Sequence, residues 1–184
     1  MPERARRKVG ADTDADSRGK TQMRKILNTA HIYMIIGLVS GLYYRELTKA
    51  KDFEGDTQLA VVHTHVLALG MLFFLVVLPL EKQFALTSHR LFNWFFWIYN
   101  AGLAVTVGMM TLHGTLTVLG HSDSEAIAGI AGLGHVLLTV GLVLFFITVG
   151  KCLPGASRAE DAGVTRAKDA APSTSPGSPA AADS

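Results

Sequence analysis

The sequence has very little cysteine, and four long stretches of it carry no charge at all. A single cysteine, Cys152, stands among 184 residues, which excludes an internal disulfide and a metal site built from several thiolates. Charged residues make up 17% of the chain, yet none falls within 26–44, 59–80, 91–112 or 126–150. An amphipathic helix of a soluble bundle would carry charge every few residues along its polar face. The charge-free runs therefore argue against a soluble helical bundle.

The four charge-free runs have the length of transmembrane helices. Each is roughly 19 to 25 residues long, and about 20 apolar residues suffice to cross a bilayer as a helix. Short connections make helices that follow each other in sequence antiparallel neighbours. The sequence thus predicts an all-α integral membrane protein, a four-helix bundle over residues 23–153. We expect residues 1–22 and 154–184 to be disordered tails, because both are polar and lack apolar periodicity.

Lysine and arginine are distributed unevenly between the two ends of the predicted helices. Residues 1–25 carry eight lysines and arginines, and the link 81–90 carries two. The loop 45–58 carries three, and 113–125 carries none. Membrane proteins keep their more basic flanks in the cytoplasm. The sequence therefore predicts a multi-pass protein of the plasma (inner) membrane with both termini cytoplasmic.

Histidines recur on the predicted spans. Ionisable residues inside a membrane are costly and generally face an interior site. Five of the seven histidines lie on a span or at its end: His31, His63, His65, His113 and His135. At about 1.5 Å per residue, His63 and His65 share a level with His135, whereas His31 lies near the opposite side. His113 stands at the outer boundary, just above them.

His63 and His65 point in different directions. Residues two apart on a regular helix diverge by about 200°, so only one of the pair is able to serve a given metal centre. We favour His63, because its face also carries Gly70, which would leave space beside a flat porphyrin. The sequence alone leaves the choice between the two histidines open.

Three interpretations of the histidines are compatible with the sequence. In the first, the protein is a redox or gas-responsive module in which His135 and one of His63 and His65 are axial ligands of a b-type haem, since neutral imidazoles suit iron and an apolar four-helix bundle suits the macrocycle. In the second, His63, His113 and His135 bind copper or zinc. In the third, the imidazoles only hydrogen-bond neighbouring helices, and the protein is a non-catalytic membrane subunit. An enzyme is the less favoured class, because no nucleophile constellation and no nucleotide-binding loop is evident.

Glycines and charge indicate the partners of the chain. The lipid bilayer surrounds the spans, and a second copy of the chain or a redox protein of the respiratory membrane is a further candidate. Gly37 and Gly41 form a small-xxx-small ridge, and Gly132 and Gly134 precede His135. Such glycines let another helix or a flat ligand approach closely. The net charge of +2 reflects the orientation signal, and nothing indicates binding of nucleic acid.

Four segments of the chain resemble a known family of membrane proteins. These segments are LNTAHIYMIIGLVSGLYYRELTK, TQLAVVHTHVLALGMLFFLVVLPLEK, YNAGLAVTVGMM and GIAGLGH. They resemble the family catalogued as domain of unknown function 2871, from about residue 25 to residue 150. The resemblance implies four membrane helices and no established activity.

A shorter resemblance concerns the paired histidines. HTHVLALGM is similar to haem-binding helices of haem–copper oxidase subunit I and of NnrS-type proteins, which implies that this stretch binds haem. Those families have many more helices, and their copper-site and tyrosine motifs have no match here. Oxygen reduction by this chain alone is therefore not implied.

The charge distribution yields a testable topology. With both termini in the cytoplasm, 45–58 and 114–125 are outer loops. A reporter that is active only when exported should be active when it is fused after Lys49 or after Ser122, and inactive when it is fused after Gln83. A cytoplasmic signal from both loop fusions would contradict the predicted orientation.

Overall fold

A computed structural model describes residues 2–121 and 125–153 of the protein. Within that part of the chain the secondary structure is helical, and no strand occurs. The elements are α1 (Pro2–Ala50), α2 (Leu59–His65), a π-helical segment (Val66–Leu72), α3 (Phe73–Phe84), a 3₁₀ turn (Leu86–Ser88), α4 (Arg90–Val118) and α5 (Glu125–Cys152). The second predicted span is thus built from α2, the π segment and α3 in succession.

The described residues contain four helices that are long and apolar enough to cross a membrane. They are the first to fourth spans, Gly19–Ala50, Leu59–Phe84, Arg90–Val118 and Gly129–Cys152. Each charge-free run of the sequence lies within one continuous helical stretch. The prediction of an all-α membrane protein with four helices is confirmed.

The N-terminal segment, for which the sequence predicts disorder over residues 1–22, has a described backbone from Pro2 onwards. The backbone is helical from Pro2 and continues without a break into the first span. Proline is favoured in the first turn of a helix, and alanine, arginine and lysine, which are common in this segment, are good helix formers. Local helix propensity therefore extends the first span although the segment lacks an apolar stripe. The predicted tail 154–184 lies outside the described residues.

Glycines bring the first and second spans into close contact. A Cβ added at Gly37 would lie 2.5 Å from Cδ2 of Leu67. On the facing helix, a Cβ added at Gly70 would collide with the ring of Tyr33. The glycine ridge predicted on the first span is therefore the surface on which the second span packs.

The third and fourth spans pack closely along their length. A Cβ at Gly102 would lie 2.7 Å from the backbone nitrogen of Leu138, and one at Gly134 would lie 2.9 Å from the backbone nitrogen of Thr106. The pairing runs in opposite directions along the two helices, so α4 and α5 are antiparallel. Small side chains at these positions let the two backbones approach, which is how helices associate in lipid.

Two clusters of buried side chains fill the bundle. The aromatic cluster consists of Ile26, Ala30, Phe74, Val77, Leu86, Phe92, Phe95, Phe96, Tyr99, Leu103, Leu138 and Phe145. The aliphatic cluster consists of Leu59, Val62, Val66, Met110 and Val118. Phe73 lies with its ring centroid 4.6 Å from that of Tyr99 and 5.3 Å from that of Phe145. This one ring therefore joins the second, third and fourth spans.

Hydrogen bonds stabilise the connection between α3 and α4. Ala85 ends α3 with a φ of 49°, and its N–H donates to the Glu81 carbonyl at 2.8 Å. The buried Glu81 carboxylate accepts hydrogen bonds from the N–H of Thr87, at 2.8 Å, and from its hydroxyl. Nδ1 of His89 accepts from the Leu91 N–H at 3.3 Å. His89 therefore caps α4, a role that the sequence reading had not predicted.

The close approach of α4 and α5 predicts a position-specific loss of stability. Gly134→Ala should lower the free energy of unfolding by about 1–3 kcal/mol, because the new Cβ would lie 2.5 Å from Oγ1 of Thr106 and 2.9 Å from its backbone nitrogen. Gly132→Ala is the matched control, because nothing lies within 4 Å of its added Cβ and alanine favours helix. Thermal unfolding in detergent compares the two variants. Equal melting temperatures would contradict the packing of α5 on α4.

Candidate functional site

His63 lies at the contact between the first and second spans. A Cβ added at Gly41 would lie 3.6 Å from the His63 Cβ, so the imidazole packs over this glycine. The side chain is half-buried, and its Nδ1 is buried without a hydrogen-bond partner. The space at Gly70, which was expected to admit a porphyrin beside His63, is filled by the Tyr33 ring. The reason for favouring His63 as a haem ligand is therefore wrong.

His65 points away from the first span, as the divergence of about 200° predicts. Its Nδ1 lies 2.9 Å from the carbonyl oxygen of Val61. A carbonyl oxygen only accepts hydrogen bonds, so Nδ1 carries the proton of the neutral ring and donates. The lone pair of Nε2, on the far side of the ring, is then directed away from the helix that carries it.

His135 has the same arrangement on α5. Its Nδ1 lies 3.0 Å from the carbonyl oxygen of Ala131, so Nδ1 donates here as well and Nε2 holds the lone pair. The preceding residue, Gly134, packs on Thr106 of α4. Since successive residues turn by about 100° around a helix, His135 lies to one side of the α4 contact. The side chain is exposed.

His65 and His135 lie at nearly the same height in the bundle. The Tyr99 hydroxyl donates to the Leu69 carbonyl at 2.8 Å, and Gly141 packs on Tyr99. These contacts define one level on the second, third and fourth spans. His65 is four residues before Leu69, and His135 is six residues before Gly141, which corresponds to about 6 and 9 Å in the same direction. The two imidazoles therefore differ by about 3 Å in height.

The face of the second span that carries His65 turns towards the fourth span. Leu69 and Phe73 follow His65 at intervals of four residues. Leu69 packs against the aromatic cluster, and the Phe73 ring touches Phe145 of α5 at 5.3 Å. His65 stands at the upper end of this face.

The flank of α5 that carries His135 adjoins the aromatic cluster. Leu138 and Leu142 share this flank, because positions i, i+3 and i+7 lie on one side of a helix. Leu138 belongs to the aromatic cluster, and Leu142 packs against it. His65 and His135 are thus each carried by a helix that packs against the aromatic cluster.

His113 does not join the other histidines in a metal site. It is half-buried near the end of α4, next to Gly114, whose added Cβ would lie 2.5 Å from the backbone nitrogen of Leu59. Zinc sites use at least three protein ligands. Among the residues that the structure describes, no three His, Cys, Asp or Glu side chains are close enough to hold a metal ion. His63, His113 and His135 are therefore not gathered into a copper or zinc centre of that kind.

Comparison with known proteins places the whole bundle in one family. The family model described as protein of unknown function (DUF2871) matches residues 23–152. The chain belongs to the DUF2871 family. The match covers the first span from residue 23 onwards, the other three spans in full, and all five histidines of the spans. Neither a curated protein nor a solved structure matches the chain, so the likeness of HTHVLALGM to haem–copper oxidases and NnrS-type proteins is not shown by these comparisons.

The hydrogen bond between Tyr99 and the π segment predicts a stability difference between two tyrosines. Tyr99→Phe should destabilise the bundle by about 1–3 kcal/mol, because it removes the donor that lies 2.8 Å from the Leu69 carbonyl. Tyr43→Phe is the control, because its hydroxyl pairs with Thr115 at 3.1 Å in an exposed position. That change should cost less than about 0.5 kcal/mol. Unfolding in detergent measures both, and an equal loss in the two variants would contradict the special role of Tyr99.

Proposed function

We propose that this DUF2871 protein is an electron-transfer module of the membrane that binds one b-type haem between its second and fourth spans. His65 and His135 are the axial ligands. The observation that carries the proposal is the hydrogen bond that each imidazole makes through Nδ1 to the carbonyl four residues before it, at 2.9 Å from His65 and 3.0 Å from His135.

This hydrogen bond prepares an imidazole for iron. Histidines that bind metals generally donate their second ring N–H to a carbonyl or carboxylate, which fixes the tautomer and the ring orientation. Both bonds fix the proton on Nδ1 and leave Nε2 as the ligating nitrogen. The similar height of the two rings along the bundle supports their acting on the same iron.

The proposed ligand set favours electron transfer over gas binding. If His65 and His135 both held the iron, they would leave no position open to oxygen or nitric oxide. The apolar side chains of the bundle supply the low-polarity surroundings that influence a haem potential. His63 is not a ligand in this proposal, because it packs over Gly41 of the first span.

A non-catalytic membrane subunit is the competing function. The same two hydrogen bonds favour it in one respect, because each satisfies an N–H within its own helix and needs no cofactor. Histidines of such a subunit would stabilise helices in lipid, where polar contacts are typically worth about 0.6 to 2 kcal/mol. The two functions differ in whether the protein carries a chromophore.

Absorption spectra of the oxidised and dithionite-reduced protein, purified from haem-replete cells, test the proposal. We expect a low-spin b-type spectrum. His65→Ala and His135→Ala should each abolish it or convert it to a high-spin spectrum. His63→Ala is the matched control, because it alters the same helix two residues away and should leave the spectrum low-spin. His31→Ala, which changes an exposed residue of the first span, should do the same.

Two results would count against the proposal. Protein that is colourless would reject the haem, and a loss of stability in His65→Ala and His135→Ala would then favour the non-catalytic subunit. A spectrum lost in His63→Ala but kept in His65→Ala would reject His65 as the ligand while leaving a haem protein.

A further inference from the structure

A cleft separates α1 from α3 at the end of the bundle where the first span begins and the second span ends. Its volume is about 570 Å³. The walls are apolar and are formed by Met23, Leu27, Leu78 and Pro79. Proline within a helix lacks the N–H that would bond to the preceding turn, and Pro79 stands inside α3. The cleft therefore lies beside the turn of α3 that contains Pro79.

The rim of the cleft is cationic. Lys20, Arg24 and Lys82 line it together with the apolar walls, and Arg24 and Lys82 are exposed. No carboxylate stands among the lining residues that the structure describes. Glu81, next to Lys82 in sequence, is buried and accepts hydrogen bonds from Thr87. Glu81 is not among the residues that line the cleft.

The rim lies at the depth of lipid headgroups. The charge-free part of the first span begins at Ile26, and that of the second span ends at Leu80. Arg24 and Lys82 are each two residues outside these limits. From this level the walls continue inward, because Leu27 and Leu78 are about 5 to 6 Å deeper along their helices.

Lys25, next to Arg24 on α1, contacts a different helix. Lys25 has its Nζ 4.1 Å from the ring centroid of Phe96 and 5.5 Å from that of Trp97. These are cation–π distances to α4. Lys25 and Arg24 therefore lie at one membrane depth but on different faces of the helix, and only Arg24 lines the cleft.

We propose that this cleft binds an anionic glycerophospholipid. The phosphate contacts Arg24 and Lys82, and the acyl chains lie along Leu27 and Leu78. The argument is charge complementarity at headgroup depth above apolar walls, a combination by which basic pockets between membrane helices bind acidic lipid headgroups. A zwitterionic lipid would bring its own cation against the cationic rim. The site is separate from the histidines and does not depend on the proposed haem.

Lipid titration of the full-length protein in detergent tests the site. Phosphatidylglycerol, phosphatidylcholine with the same acyl chains, and glycerol 3-phosphate are added separately, and binding is measured by native mass spectrometry and by the melting temperature. Phosphatidylglycerol alone should bind and raise the melting temperature. Equal binding of phosphatidylcholine would overturn the headgroup selectivity. Equal binding of glycerol 3-phosphate would overturn the lipid in favour of a free phosphate ester.

Variants separate the cleft from the general surface charge. Arg24→Gln and Lys82→Gln should each weaken phosphatidylglycerol binding about fivefold, and together about thirtyfold, because a basic residue near the membrane surface contributes about 1 kcal/mol. Lys25→Gln is the matched control and should leave binding unchanged. Leu27→Trp should fill the cleft and abolish binding with every charge in place. An effect of Lys25→Gln as large as that of Arg24→Gln, or full binding by Leu27→Trp, would overturn the proposal.

Discussion

Apolar side chains gain little by leaving lipid for the interior of a helical bundle, because both surroundings are hydrocarbon. The spans are therefore held together mainly by van der Waals contact and by a few polar bonds, and both require close approach. In this protein the approach is made through glycines. Gly37 and Gly70 bring the first and second spans together, and Gly102 and Gly134 bring the third and fourth together. The remaining features of the bundle depend on which faces these contacts use.

The directions of the histidines follow from the packing faces. The first span covers the face of the second span that carries His63, because Gly41 admits its ring. His65, two residues later, is left on the opposite side, above the face that reaches α5 through Phe73. On α5, the contact of Gly134 with α4 leaves His135 to one side. Tight packing at glycines thus decides on which face of its helix each imidazole lies.

The sequence was sufficient to predict the four spans and the different directions of the His63 and His65 side chains. Charge-free runs are a direct consequence of the bilayer, and His63 and His65 both belong to the regular helix α2. It was not sufficient to predict that the space at Gly70 is filled, because the side chain that fills it comes from Tyr33, on another span. The helix over residues 2–22 follows from the helix propensity of its residues. A polar composition gives no indication of that propensity.

The π segment, Val66–Leu72, accommodates one extra residue within the second span. A π turn contains one more residue than an α turn, so this segment changes the rotational phase between the two halves of the span. If the same residues formed a regular α-helix without any deletion, the half that holds both histidines would be rotated by about 100° relative to α3. Phe73 would keep its place among the aromatic rings, while the imidazoles would turn to different neighbours. The extra residue therefore sets the orientation of the histidines independently of the aromatic cluster.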